Sequence, residues 1–242
     1  MPASFIQDFA DRALEPNVIG FLHTPEAPNR NGLVLTHGAG GNAQAPLLVA
    51  LAETFAAAGS TVLRCNLPYR QTRSFGPPGP GDAARDRAGL KNAITAIQKV
   101  MGAAVLAGSA GDSPKSADNH SSGRIYLGGH SYGGRQSSML CAEEADLVSG
   151  LLLLSYPLHP PRRPEQQRTQ HLPDLRTPTL FVHGTRDPFG SIAELEKAMK
   201  MIPAKTKLCS VEGAGHDLGV KGKTKPLGLD RIISAAFDQF FK

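Results

Sequence analysis

Short apolar runs alternate along this chain with longer segments in which apolar residues recur every three or four positions. The short runs lack a clean apolar–polar alternation, and continuous apolar runs of this length are typical of strands buried on both faces of a parallel sheet. The predicted strands are residues 32–38, 60–68, 124–131, 150–157, 177–184 and 207–216. The alternation of strands and helices predicts one α/β domain spanning residues 1–242.

The intervening helical patterns complete this interpretation and leave two regions outside it. The predicted helices are residues 44–59, 81–101, 133–145, 191–202 and 229–241. The first 25 residues are expected to add one or two edge strands, whose pairing the pattern does not determine. Residues 107–123 are rich in Ser, Gly, Asp and Asn, which predicts a mobile surface loop.

Composition and charge narrow the class of protein. The net charge of +5 comes from scattered basic residues that are not interleaved with aromatics, so we expect no nucleic-acid partner. Neither a signal peptide nor a bilayer-spanning run is visible, so no membrane association is expected. The three cysteines, Cys65, Cys141 and Cys209, have no metal-ligand or disulfide spacing. Together these features favour a cytoplasmic protein with reduced thiols and no bound metal or cofactor.

A glycine-rich segment, "GGHSYGG", places Ser131 where a predicted strand meets a predicted helix. The pattern from Gly129 to Gly133 is G-x-S-x-G, in which the glycines relieve crowding in a sharp strand-to-helix turn. Such a turn presents the serine hydroxyl at the carboxyl end of the sheet, beside the amino end of the next helix. Ser131 is therefore the candidate nucleophile.

A serine nucleophile needs a histidine base and an acid that orients the histidine. His216 follows the last predicted strand and Asp187 follows the strand before it. The order Ser131, Asp187, His216 is that of serine hydrolases built on a parallel sheet. Asp217 is a weaker rival acid because it adjoins the histidine, and His183 is too close to its own strand to be the base.

An acyl-transfer site also needs amide donors for the tetrahedral oxyanion. The amide of Tyr132, directly after the serine, is one candidate. The loop "HGAGGN" after the first predicted parallel strand supplies the other, with Ala39 as the expected donor and Gly40 as its alternate. A phosphate-binding loop is the competing interpretation of this segment, but the P-loop Lys-Ser/Thr ending and the dinucleotide spacing are both missing.

Four motifs in order resemble the α/β-hydrolase superfamily: "HGAGGN", "GGHSYGG", "HGTRDP" and "GAGHDL". Residues 154–175 are similar to small predicted hydrolases grouped with dienelactone hydrolase-like proteins, whose relatives include a testis-expressed protein and a hydrolase-like subunit of a histone acetyltransferase complex. The resemblance implies an α/β-hydrolase fold with a mostly parallel eight-stranded sheet, helices on both faces and no large lid domain. It also implies a triad of Ser131, Asp187 and His216. Dienelactone hydrolases proper carry cysteine as the nucleophile, and this chain carries serine.

The functional hypothesis is a serine hydrolase that cleaves a small carboxylic ester through an acyl-enzyme. The short, polar segment between the fourth and fifth predicted parallel strands favours short, soluble esters over lipids. Arg70 and Gly40 are candidate substrate contacts, and the charge of Arg70, with Arg73 and Arg162, favours an acidic group on the substrate. A thioesterase or peptidase with the same triad is an alternative, as is a non-catalytic interaction module on a hydrolase-like fold.

Overall fold

The computed structural model of the protein describes residues 4–108, 123–219 and 228–242. The strands are β1 (Ser4–Asp11), β2 (Val18–Pro25), β3 (Gly32–Thr36), β4 (Thr61–Cys65), β5 (Ile125–His130), β6 (Gly150–Leu154), β7 (Thr179–Gly184) and β8 (Thr206–Val211). The α-helices are α1 (Pro46–Ala57), α2 (Pro68–Thr72), α3 (Asp82–Gly108), α4 (Tyr132–Glu143), α5 (Ile192–Met199) and α6 (Leu229–Phe241). A short 3₁₀ helix spans Leu172–Asp174.

All eight strands join one sheet in the order β1-β2-β4-β3-β5-β6-β7-β8. From β4 to β8 every neighbouring pair is parallel, as the continuous apolar runs predict. The first 25 residues supply two strands, and β2 joins both β1 and β4 in antiparallel pairs. The mostly parallel α/β-hydrolase sheet inferred from the resemblance is therefore confirmed.

Alternate side chains of the central strands enter two different hydrophobic layers. Leu151 and Leu153 of β6 join the layer that includes residues of α3, α4 and α5, whereas Leu152 and Leu154 join the layer of α1 and α6. The strand is covered on both faces, which explains why its sequence is continuously apolar. Because β3 and β5 to β8 are parallel, the loops after them meet at one edge of the sheet.

Three predicted elements differ from the observed ones. The helix predicted over 81–101 runs from Asp82 to Gly108, because the small and apolar residues after position 101 continue the helix. The last strand ends at Val211, so residues 212–216 form a loop instead of strand. Of the loop expected over 107–123, positions 107 and 108 close α3, position 123 precedes β5, and 109–122 lie outside the described residues.

The segment joining β6 to β7 forms no lid domain, since its only regular element is the 3₁₀ helix Leu172–Asp174. Among the residues described, none of the helices has the length and apolar character that crossing a bilayer requires. All three cysteines are free thiols; Cys65 and Cys141 are buried and Cys209 is partly exposed.

Candidate active site

Ser131 occupies a strained turn between β5 and α4. Its backbone has φ 51° and ψ −114°, outside the regions that a serine normally adopts. The Ser131 amide donates to the Leu154 carbonyl at 2.8 Å, which ties the turn to the end of β6. The surrounding structure thus holds the serine in a conformation that it would not adopt alone.

The neighbouring glycines are required because three backbone segments meet beneath this serine. A Cβ added at Gly129 would lie 2.5 Å from the carbonyl carbon of Gly133. A Cβ at Gly133 would lie 2.5 Å from the carbonyl oxygen of His37, at the end of β3. Both contacts are with backbone, so a side chain at either position would force β3, β5 and α4 apart.

Ser131, His216 and Asp187 form a continuous hydrogen-bonded chain at the carboxyl edge of the sheet. The His216 Nε2 lies 2.7 Å from the Ser131 Oγ. The His216 Nδ1 lies 2.8 Å from Asp187 Oδ2 and 3.0 Å from Asp187 Oδ1. Asp187 is buried, and its Oδ1 also accepts the Phe189 amide at 2.8 Å. These contacts suit a histidine that takes a proton from the serine while the carboxylate orients it.

Two further side chains contact His216, one at its imidazole and one at its backbone carbonyl. The Phe189 ring stacks on it at a centroid distance of 4.1 Å and an interplanar angle of 28°. The His130 Nε2 lies 2.8 Å from the His216 carbonyl oxygen, which makes His130 the donor. Burial lowers the pKa of His130, so this ring is neutral at neutral pH. Sequence analysis missed both residues, because their contacts with His216 depend on how distant segments of the chain pack together.

The candidate oxyanion donors are amides without other partners. In the part of the chain that the structure describes, neither the Ala39 nor the Gly40 amide donates a hydrogen bond. Tyr132 is the first residue of α4, so its amide has no carbonyl partner within the helix. The positive end of the α4 dipole also lies at Ser131, where it favours developing negative charge.

A cavity of about 560 Å³ opens beside Ser131. Its apolar wall comes from the start of α1, and its single aspartate is Asp217. The full lining is His37, Gly38, Ala39, Gly40, Gly41, Ala45, Pro46, Leu47, Leu48, His130, Ser131, Phe189, His216 and Asp217. Within the described residues, neither lysine nor arginine lines the cavity.

Arg70, a candidate substrate contact, is not among the residues that line this cavity. Arg70 is buried, and its guanidinium donates to the carbonyls of Ala39, Gly41, Arg73 and Gly76 instead of facing the cavity. Arg73 pairs with Asp82, and Arg162 does not line the cavity. Gly40 does line it, and a Cβ there would meet no atom within 4 Å. The arginines thus offer the cavity no cationic group for an acidic substrate.

Solved structures share this fold across nearly the whole chain. A dienelactone hydrolase from Anabaena variabilis is 18% identical, has a TM-score of 0.67 and covers 100% of this chain and 99% of its own. An α/β serine hydrolase homologue from Coxiella burnetii is 16% identical, with a TM-score of 0.66 and coverage of 95% and 96%. A serine hydrolase described as lacking a lid, from Xanthomonas campestris, is 14% identical, with a TM-score of 0.67 and coverage of 98% and 94%.

The sequence matches a curated protein over a short stretch and a family model over most of its length. A polyketide synthase from Burkholderia thailandensis is 48% identical over 48 residues, which are 20% of this chain and 2% of the synthase. The chain therefore spans only a small fraction of that relative. The family model of the alpha/beta hydrolase domain matches residues 29–241, which include every strand from β3 to β8 and all the candidate site residues. The chain therefore belongs to the α/β-hydrolase family.

Proposed function

We propose that this protein is a serine hydrolase that cleaves carboxylic esters, with Ser131 as nucleophile, His216 as base and Asp187 as the orienting acid. The observation that carries the proposal is the pair of contacts made by His216, 2.7 Å to the Ser131 Oγ and 2.8 Å to Asp187 Oδ2. A serine hydroxyl is a weak nucleophile until a base within hydrogen-bond distance accepts its proton.

In the first half-reaction the Ser131 Oγ attacks the ester carbonyl carbon as His216 Nε2 takes the hydroxyl proton. The carbonyl oxygen becomes an oxyanion that accepts hydrogen bonds from the Ala39 and Tyr132 amides, with Gly40 as the alternate donor. His216 then gives its proton to the alkoxy oxygen. The carbon–oxygen bond of the ester breaks, the alcohol leaves and the acyl group stays on Ser131.

In the second half-reaction water replaces the alcohol. His216 Nε2 takes a proton from water, whose oxygen attacks the acyl carbon and regenerates the oxyanion. The bond to Ser131 breaks as His216 returns the proton to the Oγ, which releases a carboxylic acid. The Asp187 carboxylate orients His216 and stabilises the imidazolium that forms twice in each cycle.

A non-catalytic interaction module, which is the alternative function, would not require this arrangement of side chains. Ser131 is held with φ 51° and ψ −114°, outside the regions that a serine normally adopts, and strain of this kind is concentrated at active sites. Asp187 is buried, and its carboxylate contacts His216, the same histidine that contacts Ser131. Three groups from the ends of three strands therefore converge on one proton path, which favours catalysis.

The cavity favours a short ester with an uncharged, apolar acyl group. Its wall at the start of α1 includes Ala45, Pro46, Leu47 and Leu48. A carboxylate placed against apolar side chains loses hydration without gaining a partner, which is unfavourable. Asp217 adds a negative charge at the cavity and further disfavours an anionic substrate. We therefore propose an uncharged substrate, and not an acidic one, for this site.

We expect p-nitrophenyl butyrate to be cleaved with a kcat/KM at least about tenfold higher than the mono-p-nitrophenyl ester of succinate, in which a carboxylate replaces the terminal methyl group, after the uncatalysed hydrolysis of each ester is subtracted. The Asp217→Asn variant should lower the ratio of the butyrate kcat/KM to the succinate kcat/KM by about two- to fivefold, because it removes one charge that repels the succinate carboxylate. A succinate ester cleaved as fast as the butyrate ester would contradict the assignment of an apolar acyl site.

The proposed function is tested by labelling the protein with a fluorophosphonate probe, which reacts with activated serines. We expect the wild-type protein to incorporate one probe per chain and the Ser131→Ala variant to incorporate none. A folded wild-type protein that does not react would sink the proposal and favour the interaction module.

A further inference from the structure

Two side chains of α2 hold the backbone carbonyls of the loop that carries Ala39. The Tyr69 hydroxyl donates to the Ala39 carbonyl at 2.8 Å and lies 3.3 Å from the Gly38 carbonyl. The Arg70 Nη2 donates to the same Ala39 carbonyl at 3.0 Å, and its Nε donates to the Gly41 carbonyl at 2.8 Å. We call Tyr69 and Arg70 the loop clamp.

Holding these carbonyls also sets the direction of the two candidate oxyanion donors. A peptide unit is planar and trans, so its N–H points away from its C=O. The Gly38 carbonyl shares a peptide unit with the Ala39 amide, and the Ala39 carbonyl shares one with the Gly40 amide. Each amide is therefore turned away from the clamp and makes no other hydrogen bond in the described part of the chain.

His37 supports the same loop from its other side. Its Nε2 accepts the Leu67 amide at 3.1 Å, so the ring proton is on Nδ1, which donates to the Gly38 carbonyl at 2.8 Å. Burial lowers the pKa of His37 to about 4, and the ring is neutral at neutral pH. The Gly38–Ala39 peptide is thus fixed by side chains rather than by regular secondary structure.

Asp86 connects the clamp to the other candidate donor, Tyr132. Its buried carboxylate accepts the Tyr132 hydroxyl at 2.8 Å through Oδ2 and the Tyr69 amide at 3.1 Å through Oδ1. The Tyr69 and Tyr132 rings also meet edge to face, with centroids 5.9 Å apart. The residues that supply the two amides are therefore linked through one carboxylate and one tyrosine.

Arg70 adds a charge to this support. Its guanidinium is buried, makes four hydrogen bonds to carbonyls and has no carboxylate partner within the described residues. A buried cation that binds a peptide carbonyl polarises that peptide and strengthens the donor character of its N–H. At the Ala39–Gly40 peptide, this polarisation favours the binding of an anion by the Gly40 amide.

We infer that Tyr69 and Arg70 are positioning residues for the oxyanion hole. They fix the orientation of the Ala39 and Gly40 amides through the carbonyls on the opposite side of each peptide, and they act on the transition state without touching substrate. The inference rests on the proposed hydrolase function, because it concerns the donors of that same site.

The test compares Tyr69→Phe and Arg70→Lys with the wild type in hydrolysis of p-nitrophenyl butyrate. Tyr69→Phe keeps the ring and removes only the hydroxyl, whereas Arg70→Lys keeps the charge and removes the fork of donors. We expect each to lower kcat by about tenfold with KM within about twofold, because the donors act mainly in the transition state. The inhibition constant of a trifluoromethyl ketone, which forms an oxyanion on Ser131, should rise by the same factor.

Tyr156→Phe is the matched control. Tyr156 is also buried, and its hydroxyl also donates to a backbone carbonyl, but that carbonyl belongs to Arg168, at 2.6 Å, and not to the loop that carries Ala39. Removal of the Tyr156 hydroxyl is expected to lower the melting temperature and to leave kcat within about twofold of the wild-type value. Tyr69→Phe and Arg70→Lys variants with wild-type kcat, or with reduced kcat but an unchanged ketone inhibition constant, would overturn the inference. If the wild type shows no hydrolysis that depends on Ser131, the proposed function fails first and the inference fails with it.

Discussion

Replacement of Ser131 by alanine is expected to lower kcat for hydrolysis of a short ester by about 10⁶-fold. The variant lacks the oxygen that forms the acyl-enzyme, and the remaining groups can assist only direct attack by water. Because the described contacts of the Ser131 Oγ lead only to His216, the melting temperature should stay close to that of the wild type. Steady-state hydrolysis of p-nitrophenyl butyrate measures the effect.

The chain offers a close control for this substitution at the end of the next strand. Ser155 follows β6, also has a positive φ of 49°, and is buried with an Oγ that has no hydrogen-bond partner among the described residues. Ser155→Ala makes the same chemical change at a second buried serine with a positive φ and should keep kcat within about twofold. If Ser131→Ala kept more than about one hundredth of the wild-type kcat, Ser131 would not be the nucleophile.

Asp187→Asn is expected to lower kcat by about 10⁴-fold while the fold is retained. The Phe189 amide donates to Oδ1, so an asparagine at this position keeps its carbonyl oxygen there and turns its NH₂ toward His216 Nδ1. The Nδ1 must then accept, and the proton moves to Nε2. An imidazole protonated at Nε2 cannot take the proton of Ser131, which removes the base.

The same substitution at Asp174, an exposed residue of the 3₁₀ helix, controls for the loss of a carboxylate and should leave kcat unchanged. Fluorophosphonate labelling of Asp187→Asn should also slow, because the probe needs the same activated serine. A variant that labels and turns over like the wild type would show that another group orients His216.

The sheet and the positions of Ser131, Asp187 and His216 at its carboxyl edge could be predicted from sequence because each depends on a local signal. Ser131 lies in a glycine pattern that only a close backbone approach requires, and Asp187 and His216 each follow an apolar strand. No local sequence signal marked the pairing of β1 with β2, because antiparallel pairing at the edge of a sheet does not require particular residues between the two strands. The register had to come from the structure.

The side chains that support the site could not be predicted from sequence, because their roles depend on contacts between distant segments of the chain. Arg70 lies in a basic, proline-containing stretch that resembles an exposed loop, yet its carbonyl partners at Ala39 and Gly41 lie about 30 residues earlier. Whether an arginine binds a substrate or a peptide carbonyl depends on tertiary placement, which residue type does not encode. Phe189 and His130 were missed for the same reason.

The positions of the reacting groups along the chain have a consequence for biosynthesis. The ribosome releases the amino-terminal part first, so β5 and Ser131 emerge before β8 and the loop that carries His216. Until β8 has paired with β7, the serine has no base, although its strained turn can already exist. We therefore expect nascent chains that end before β8 to be catalytically silent, so that reactivity appears only when the last strand completes the sheet.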